Sequence, residues 1–364
     1  MFTGKRILVA PLDWGLGHST RCIPVIHALL ERGAVPILGA DNGPLALLRS
    51  EFPELEHVRI PGMNIRYSKS RSQLWSMARQ FPQMVRSVRA ETAHFDRIRR
   101  DLRLDAVISD QRFGLRSPDL PSVIITHQVF PFTPIAQGAL RKLNLRHLSK
   151  FDQCWIMDEP EEPGLAGELS HGKALPANAR YIGTISRMQG LGSTVKGPSN
   201  SQGTAPYRVV AVISGPEPHR TLLDKILTEQ LQDLEGRHLL VRGLPGSDVE
   251  EMRGNLLRKP HLSGRALAEA MANAELVISR SGYTTLMDLV ALGRTALVIP
   301  TPGQEEQEYL GRLHASIGRF MVQAQTEVDI ASALSRIGDQ HAPAATQGHP
   351  LLERALNELA HLLH

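Results

Sequence analysis

Two kinds of segment alternate along the first half of the chain. Short apolar runs, typical of strands buried on both faces, are followed by stretches with apolar residues three and four positions apart, typical of covering helices. The predicted strands are Arg6–Pro11, Ala34–Gly39, His57–Ile60, Ala106–Ser109, Ser122–Thr126 and Gln153–Met157. The predicted helices are Ser19–Arg32, Pro44–Ser50, a long stretch within Ser72–Leu102, and Phe132–Ser149. This βαβ rhythm predicts a parallel sheet with helices on both faces.

The second half repeats the alternation beyond a tract of different composition. That tract, Met188 to Pro206, is rich in Gly, Ser and Pro and lacks periodicity, as is typical of a linker or surface loop. The strands predicted beyond it are Tyr207–Ser214, Arg237–Val241, Leu276–Ser279 and Ala296–Pro300. The helices predicted beyond it are Glu217–Gly236, Gly264–Ala274, Tyr283–Leu292 and Gln304–Ser316.

The whole pattern predicts an α/β fold of two doubly wound, Rossmann-like domains facing a cleft. A chain of 364 residues also exceeds the size at which one hydrophobic core stops growing. We expect an N-terminal domain at 1–187, a linker at 188–206, a C-terminal domain at 207–349, and an amphipathic helix at 350–364 that packs back on the N-terminal domain. Ligands of such sheets bind beyond the carboxyl ends of the strands.

Composition narrows the function classes. Hydrophobic residues make up 42% and charged residues 21%, as in ordinary globular proteins. Aromatic residues, at 5%, are too few to favour stacking on single-stranded nucleic acid. Two cysteines, Cys22 and Cys154, form neither a disulfide framework nor a zinc set. The chain enters a strand within its first residues without a signal-peptide core, so we expect a cytoplasmic protein.

The segment from Arg59 to Arg116 is strongly basic, with thirteen Lys and Arg against five acidic residues. It predicts either a solvated helical face or a surface that binds anionic lipid or a phosphorylated acceptor. No nucleic-acid-binding motif accompanies the charge, so we expect no nucleic-acid partner.

The first glycine-bearing strand end is Gly15-Leu16-Gly17-His18. Glycines allow a ligand to approach the backbone, and amides at a helix start favour negative charge. The loop lacks the third glycine of a dinucleotide fingerprint and the lysine of a P-loop. His18 is a candidate general base because imidazole titrates near neutral pH, although a histidine here can also serve as a helix cap.

Two further strand ends lie in the second half. Ser214-Gly215 can hold a phosphate with Arg220 nearby, or can form an ordinary strand-to-helix turn. Ser279-Arg280-Ser281-Gly282 follows a buried strand and begins a helix, which indicates a second anion site.

Asp288 interrupts a largely apolar helix six residues after Gly282. A carboxylate there can accept two hydrogen bonds from the vicinal diol of a ribose, or can simply face solvent. Gln304, Gln307 and Glu308 lie where a loop turns into a helix, and such groups suit sugar hydroxyls or a solvated helix start.

Together these residues resemble the nucleotide-sugar signature of GT-B glycosyltransferases, most closely the MurG-type (lipid II-forming) UDP-N-acetylglucosamine transferases. In that family a Ser-Arg-Ser-Gly turn precedes an acid six residues on, a helix-ending glycine, an apolar-Pro strand end and a glutamine-rich turn. The matching positions here are Ser279–Gly282, Asp288, Gly293, Ile299-Pro300 and Gln304–Glu308. Further family-like segments, in the same order, are Gly15–His18, Thr126–Gln128 and Tyr181–Arg187.

The resemblance implies an inverting, metal-independent glycosyltransferase of GT-B architecture that moves a sugar, an N-acetylhexosamine, from a UDP-sugar to a hydroxyl acceptor. The acceptor would be a lipid or glycolipid of the cell envelope, and the protein would be peripheral on the inner face of the membrane. No cofactor or metal is implied beyond the donor substrate. Asp288 stands where the family has Glu, and Glu308 where it has a second Gln.

The resemblance also implies roles for single residues. The diphosphate would be bound by Gly15 and Gly17, Ser214-Gly215 and the Ser279–Gly282 turn, with Arg280 in that turn. Asp288 would bind the ribose, Gln304, Gln307 and Glu308 the sugar, and Arg187 the charge on departing UDP. His18 would be the general base, with Asp13, Asp110 and His127 as alternatives.

Three other functions remain open at this stage. A non-hydrolysing UDP-N-acetylglucosamine 2-epimerase would use cleft carboxylates instead of His18. A non-catalytic nucleotide-sugar sensor would need Asp288 but not the His18 loop. A nicotinamide oxidoreductase is disfavoured because the first loop lacks its third glycine and only Asp41 is available to bind the ribose.

Overall fold

A computed structural model describes residues 1–13, 15–62, 88–132, 137–190, 207–244, 247–339 and 350–363. The chain divides into two compact units. Unit 1 comprises Met1–Ile185 and His349–His364, and unit 2 comprises Ser186–Gly348. The predicted α/β class with two doubly wound sheets is confirmed.

Unit 1 is built on a parallel seven-stranded sheet in the order β3-β2-β1-β4-β5-β6-β7. Its strands are β1 (Arg6–Pro11), β2 (Val35–Ala40), β3 (His57–Arg59), β4 (Ala106–Asp110), β5 (Ser122–Thr126), β6 (Gln153–Ile156) and β7 (Ala179–Tyr181). The central strands β1, β4 and β5 are almost wholly buried, because helices cover both faces of a doubly wound sheet. The sheet brings the carboxyl ends of these three strands to one edge.

The helices of unit 1 include the C-terminal segment of the chain. They are α1 (Leu16–Glu31), α2 (Asn42–Glu51) and α3 (Gln137–Leu148), together with a helical segment at 88–101. The C-terminal helix is Pro350–Leu362, labelled α9 because five helices of unit 2 precede it. It buries Leu352, Leu356 and Leu359 and forms ion pairs from Glu353 to Arg32 and from Glu358 to Arg180.

Unit 2 has a second seven-stranded sheet, in the order β10-β11-β9-β8-β12-β13-β14. Its strands are β8 (Val209–Val212), β9 (His238–Val241), β10 (Glu251–Arg253), β11 (Leu256–Lys259), β12 (Leu276–Ser279), β13 (Leu297–Val298) and β14 (Met321–Val322). Its helices are α4 (His219–Gln232), α5 (Gly264–Asn273), α6 (Tyr283–Ala291), α7 (Glu305–Ser316) and α8 (Ile330–Arg336). All pairings are parallel except that of the edge strand β10 with β11.

The structure differs from the predicted elements mainly at the sheet edges. β7, β10, β11, β14 and α8 have no predicted counterpart, because segments of two to seven residues are too short to show a period. Helix α1 begins at Leu16 and not at Ser19. Most of the predicted helix within Ser72–Leu102, and most of the Met188–Pro206 tract, lie outside the described residues.

A buried carboxylate joins β6 to the following loop in unit 1. Asp158 accepts hydrogen bonds from the backbone N–H groups of Leu165 and Ala166 and from the Ser170 hydroxyl. The His171 ring lies 3.3 Å away. Burial opposes ionisation, but these donors together hold the pKa of Asp158 below its usual value.

Replacing Asp158 with asparagine is expected to lower the free energy of unfolding by about 2–4 kcal/mol, because an amide group would face donors that need an acceptor. The pKa of Asp158 is lower in the folded than in the unfolded protein. Its carboxylate therefore stabilises the fold fully above the unfolded pKa of about 3.9, and this stabilisation is lost as pH falls through the folded pKa. Urea unfolding at pH 7 and pH 3.5 measures this. Asp119→Asn, at an exposed ion pair, is the control and should change stability by less than about 0.5 kcal/mol; equal effects of the two variants would contradict the prediction.

Candidate functional site

The strand ends of unit 1 bring four polar side chains together. His18 and Arg21 lie three residues apart on the first turns of α1, and therefore on one face of the helix. Asp110 is the last residue of β4, and His127 directly follows β5. We call these four residues the His18 cluster.

Hydrogen bonds connect all members of the His18 cluster. Arg21 donates from Nε to Asp110 Oδ2 at 2.7 Å, and its Nη2 binds Asp110 Oδ1. His18 Nδ1 lies 3.0 Å from Asp110 Oδ2 and 2.9 Å from Arg21 Nη2. Arg21 Nη1 lies 2.8 Å from His127 Nδ1. The His18 side chain retains 18% exposure, whereas Arg21 retains 1% and Asp110 none.

Charge in the His18 cluster is balanced by its buried ion pair. Burial alone would raise the pKa of the Asp110 carboxyl, but Arg21 and His18 hold it well below its usual range. Asp110 is therefore ionised at neutral pH, and its low pKa makes the carboxylate a weak base. It can orient His18 and stabilise the imidazolium that forms when His18 takes a proton.

Asp13, another predicted catalytic residue, lies beyond β1 and packs against Gly62. A Cβ atom at Gly62 would overlap the Asp13 carboxylate, so a side chain there would displace that carboxylate. Asp13 Oδ1 is buried and has no hydrogen-bond partner among the described residues. No described contact joins Asp13 to the His18 cluster.

The predicted glycines Gly15 and Gly17 form the start of α1. Gly15 is the N-cap residue at φ 85°, a conformation that favours glycine, and no side chain caps the helix. The Gly17 carbonyl accepts a hydrogen bond from Thr20 Oγ1 at 2.9 Å. The start of α1 thus presents backbone amides with no acidic residue in its first turn.

In unit 2 the loop before α7 is held by two of the predicted sugar-binding residues. Gln307 Oε1 accepts from the Thr301 amide at 3.0 Å, and Gln307 Nε2 donates to Gln304 Oε1 at 2.6 Å. Glu308 Oε1 accepts from the Gly303 amide at 2.8 Å. Gln307 and Glu308 therefore shape the loop, and each retains additional hydrogen-bonding capacity.

The predicted Ser279–Gly282 anion site divides into structural and accessible groups. Ser279 Oγ donates to its neighbouring Arg280 carbonyl, and Ser281 Oγ donates to the Gln307 carbonyl at 2.8 Å. Both hydroxyls are fully buried, so the start of α6 offers a ligand its backbone, at Gly282 above all.

The Arg280 side chain faces the interior, and its predicted role in donor binding stays a prediction. It is 1% exposed, and its guanidinium donates to the carbonyls of Ile299, Pro300 and His219 and to Gln325 Oε1. Burial lowers the pKa of Arg280 to about 10, so it remains a cation. The guanidinium braces the turn after β13.

Ser214 and Gly215 are exposed beyond β8, next to the strand ends of β12 and β13. Gly215 has φ 112°, which strongly favours glycine. A Cβ atom there would lie 3.8 Å from Thr301 Oγ1, a buried hydroxyl without a hydrogen-bond partner in the described part of the chain. These neighbouring strand ends place Ser214-Gly215 on the same edge as Gly282 and Gln304.

Asp288 lies on α6 with its carboxylate buried. It is 7% exposed, and Ser186 Oγ donates to its Oδ1 at 2.6 Å. Burial raises the pKa of Asp288, opposed by the charge of Arg187 and the hydrogen bond from Ser186.

The Arg187 guanidinium lies at the start of α5. A Cβ atom on Gly264 would be 3.7 Å from Arg187 Nη1, and the N-cap residue Ser263 makes no side-chain cap. Arg187 Nε and Nη1 are buried and have no hydrogen-bond partner among the described residues. Because buried guanidinium nitrogens without partners are costly, this arrangement fits an anionic ligand.

Sequence reasoning missed Arg21 and Ser186. Arg21 follows His18 by three residues, and that helical spacing could have identified it. No local signal marks Ser186, because its partner Asp288 is 102 residues away. Among the described residues, no group of three or more His, Cys, Asp or Glu side chains could hold a metal ion, and no helix is long and apolar enough to cross a membrane.

Comparison with known proteins places the second half of the chain in a family context. Residues 264–343 match the glycosyltransferase family 28 C-terminal domain. The UDP-N-acetylglucosamine–N-acetylmuramyl-(pentapeptide) pyrophosphoryl-undecaprenol N-acetylglucosamine transferase of Haemophilus influenzae (strain PittGG) is 31% identical over 112 residues, or 29% of this chain and 32% of that protein. The enzyme of the same name from Bradyrhizobium diazoefficiens is 28% identical over 153 residues, or 40% and 41%. The matches thus span a third to two fifths of these relatives.

Solved structures resemble the chain over nearly its whole length. MurG of Acinetobacter baumannii has a TM-score of 0.56 at 13% identity and covers 98% of this chain and 99% of its own. The glycosyltransferase SnogD of Streptomyces nogalater has a TM-score of 0.60 at 17% identity, with full coverage of both chains. At these identities the likeness shows the fold, and the predicted GT-B fold and MurG-type resemblance are confirmed.

Proposed function

We propose that this GT-B protein, whose unit 2 carries a glycosyltransferase family 28 domain, transfers an N-acetylhexosamine from a UDP-sugar to a hydroxyl group of a lipid-linked acceptor. The reaction is a single inverting displacement without a metal ion. The relatives named above act on a pyrophosphoryl-undecaprenol acceptor by name, which supports a lipid-linked acceptor here. The protein then works at the inner face of a membrane.

Unit 2 binds the donor. Asp288 accepts hydrogen bonds from the ribose, since only one of its oxygens is used by Ser186. The backbone at Gly282 and Ser214-Gly215 binds the diphosphate, because exposed amides at strand ends and helix starts favour anions. Gln304, held by Gln307, directs its remaining amide hydrogens to the sugar.

Unit 1 supplies the general base, His18. The acceptor oxygen forms the new bond to the anomeric carbon and gives its proton to His18 Nε2. The bond from the anomeric carbon to the diphosphate oxygen breaks, and the electron pair leaves with UDP. Arg187 stabilises the negative charge that develops on that leaving group. Asp110 stabilises the imidazolium through Nδ1.

One observation carries the proposal more than any other. A buried carboxylate, Asp288, and a guanidinium with two unpartnered buried nitrogens, Arg187, share one site in unit 2. A nucleoside diphosphate has a ribose diol, which can donate hydrogen bonds to a carboxylate. It also has phosphate oxygens, which can accept hydrogen bonds from a guanidinium.

Calorimetry with UDP, GDP, dTDP and uridine tests the donor site. We expect UDP to bind most tightly, and Arg187→Met to weaken UDP binding about 10–100-fold while changing uridine binding little, because a charged hydrogen bond to phosphate is lost. Arg265→Met, at an exposed arginine of α5, is the matched control and should bind UDP normally. Equal binding of UDP by all three proteins would refute the donor site.

Product analysis tests the reaction. Incubation with UDP-N-acetylglucosamine and an undecaprenyl-diphosphate saccharide should release UDP and yield one additional sugar on the acceptor, with inverted anomeric configuration. Release of a 2-epimer without any acceptor would overturn glycosyl transfer and indicate an epimerase. Tight binding of UDP-sugar with neither product would indicate a sensor.

A further inference from the structure

Arg21 lies at the centre of the His18 cluster and contacts its three other members. We propose that Arg21 is a positioning residue that holds the two histidines in opposite tautomers, so that His18 alone can take a proton. This inference rests on the proposed glycosyl transfer, in which a histidine of unit 1 is the base.

The state of His127 follows from its contact with Arg21. A guanidinium has only donor hydrogens, so the 2.8 Å contact from Arg21 Nη1 requires a lone pair on His127 Nδ1. The proton of the neutral ring is then on Nε2, 3.3 Å from the Gln128 side-chain amide, which must present its oxygen. Both ring nitrogens are thereby engaged. A second proton on His127 would have to face the Arg21 cation.

The state of His18 follows from Asp110. The two hydrogen bonds from Arg21 fix the Asp110 carboxylate so that Oδ2 lies 3.0 Å from His18 Nδ1. A proton on Nδ1 gives this buried carboxylate a further donor, whereas a lone pair there would face a negative charge. Arg21 does not need His18 as an acceptor, because Asp110 and His127 already accept from all three of its nitrogens. His18 therefore carries its proton on Nδ1 and a lone pair on Nε2.

The remaining neighbour of Asp110 leaves this assignment unchanged. Cys22, on α1, has its sulfur 4.0 Å from Asp110 Oδ2, and burial next to a carboxylate raises its pKa well above the usual value. It stays a neutral thiol in the range where a histidine titrates. Among the described residues, the charged and titratable groups that form this cluster with His18 are thus Arg21, Asp110, His127 and this thiol.

Arg21 consequently gives His18 and His127 different tautomers, although the two side chains are chemically the same. Without it, His127 Nδ1 would lose its donor and Asp110 would lose the bonds that aim Oδ2 at His18. Lysine keeps the charge but has a single nitrogen, which cannot reach both carboxylate oxygens and His127 in the geometry of the guanidinium.

The tautomers can be measured without any activity. Long-range ¹H–¹⁵N correlation spectra of the ¹⁵N-histidine-labelled full-length protein, assigned with His18→Gln and His127→Gln, should show the Nδ1–H form for His18 and the Nε2–H form for His127. The same tautomer for both rings, or a proton on His127 Nδ1, would overturn the proposal. This outcome does not depend on the donor or acceptor, so it can fail while glycosyl transfer stands.

Kinetics of Arg21→Lys test the consequence for the reaction. We expect kcat to fall about 10–100-fold at an unchanged KM for the donor, as is usual when a residue that orients a functional group is lost. The acidic limb of the kcat profile should move to lower pH, because Asp110, no longer aimed at His18 by the guanidinium, stabilises the imidazolium less.

Arg49→Lys, at an exposed position of α2, is the matched control and should leave both quantities unchanged. A uniform loss of kcat with no shift of the acidic limb would assign Arg21 a merely structural role and refute the proposal. If the wild-type protein did not bind the UDP-sugar donor at all, the proposed function would be refuted instead.

Discussion

Replacing His18 with alanine is expected to lower kcat for glycosyl transfer by about 10²–10⁴-fold, the usual contribution of a positioned general base. UDP binding should be unchanged, because the donor groups are on unit 2 and His18 is on α1 of unit 1. Initial rates with saturating donor, and calorimetry with UDP on the same preparation, measure the two quantities separately.

The His18 prediction has a control on the same helix. His27 is exposed on α1, where its ring packs against Phe52. His27→Ala should therefore retain the wild-type rate. If His18→Ala kept full transfer activity, the base would have to be sought elsewhere, and Asp13, with its buried unpartnered oxygen, would be the next residue to replace.

Replacing Asp288 with asparagine is expected to weaken UDP binding about 10–100-fold, because a charged acceptor for the ribose hydroxyls is lost. The same change should stabilise unit 2. Burial raises the pKa of Asp288 in the folded protein. The neutral carboxyl therefore stabilises the fold fully below the unfolded pKa, and this stabilisation is lost as pH rises through the folded pKa. At pH 7 the carboxylate is thus a cost, and the amide removes it while still accepting from Ser186.

Thermal unfolding and calorimetry together check the Asp288 prediction. A gain of about 1 kcal/mol corresponds to a rise of about 2–4 °C in Tm for a domain of this size. The gain should vanish near pH 4, where the wild-type carboxyl is also protonated. Glu229→Gln, an exposed neutralisation on α4, should alter neither UDP binding nor Tm. A destabilised Asp288→Asn that binds UDP normally would show that Asp288 serves the fold only.

For the basic segment from Arg59 to Arg116, the sequence predicts either a solvated helical face or a surface that binds anionic lipid or a phosphorylated acceptor. Both alternatives stay predictions. Residues 63–87 lie outside the described part of the chain. In its described part, Arg112 is buried and binds Glu91 and the carbonyls of Ile60 and Pro61, so at least one of these cations serves the fold.

The amino-acid sequence determined the α/β class, the two parallel sheets and the position of the donor motif, because these depend on local properties. Apolar periodicity identifies buried strands and covering helices, and glycine marks backbone that other residues adopt with strain, as at Gly15 and Gly215. The short edge strands β10 and β14 could not be predicted in this way, because backbone pairing at a sheet edge requires no particular side chain.

Only the tertiary structure decided what each polar side chain can still do. Asp110 lies 89 residues from Arg21, and the strand order brings them together, which converts a candidate base into a buried ion-pair partner. The fold likewise uses most of the Arg280 guanidinium to bind backbone carbonyls, and it leaves Arg187 with two nitrogens that have no partner among the described residues. The physical reason is that hydrogen-bonding capacity is finite: a motif specifies the group, but its neighbours in space determine whether its donors and acceptors are already used.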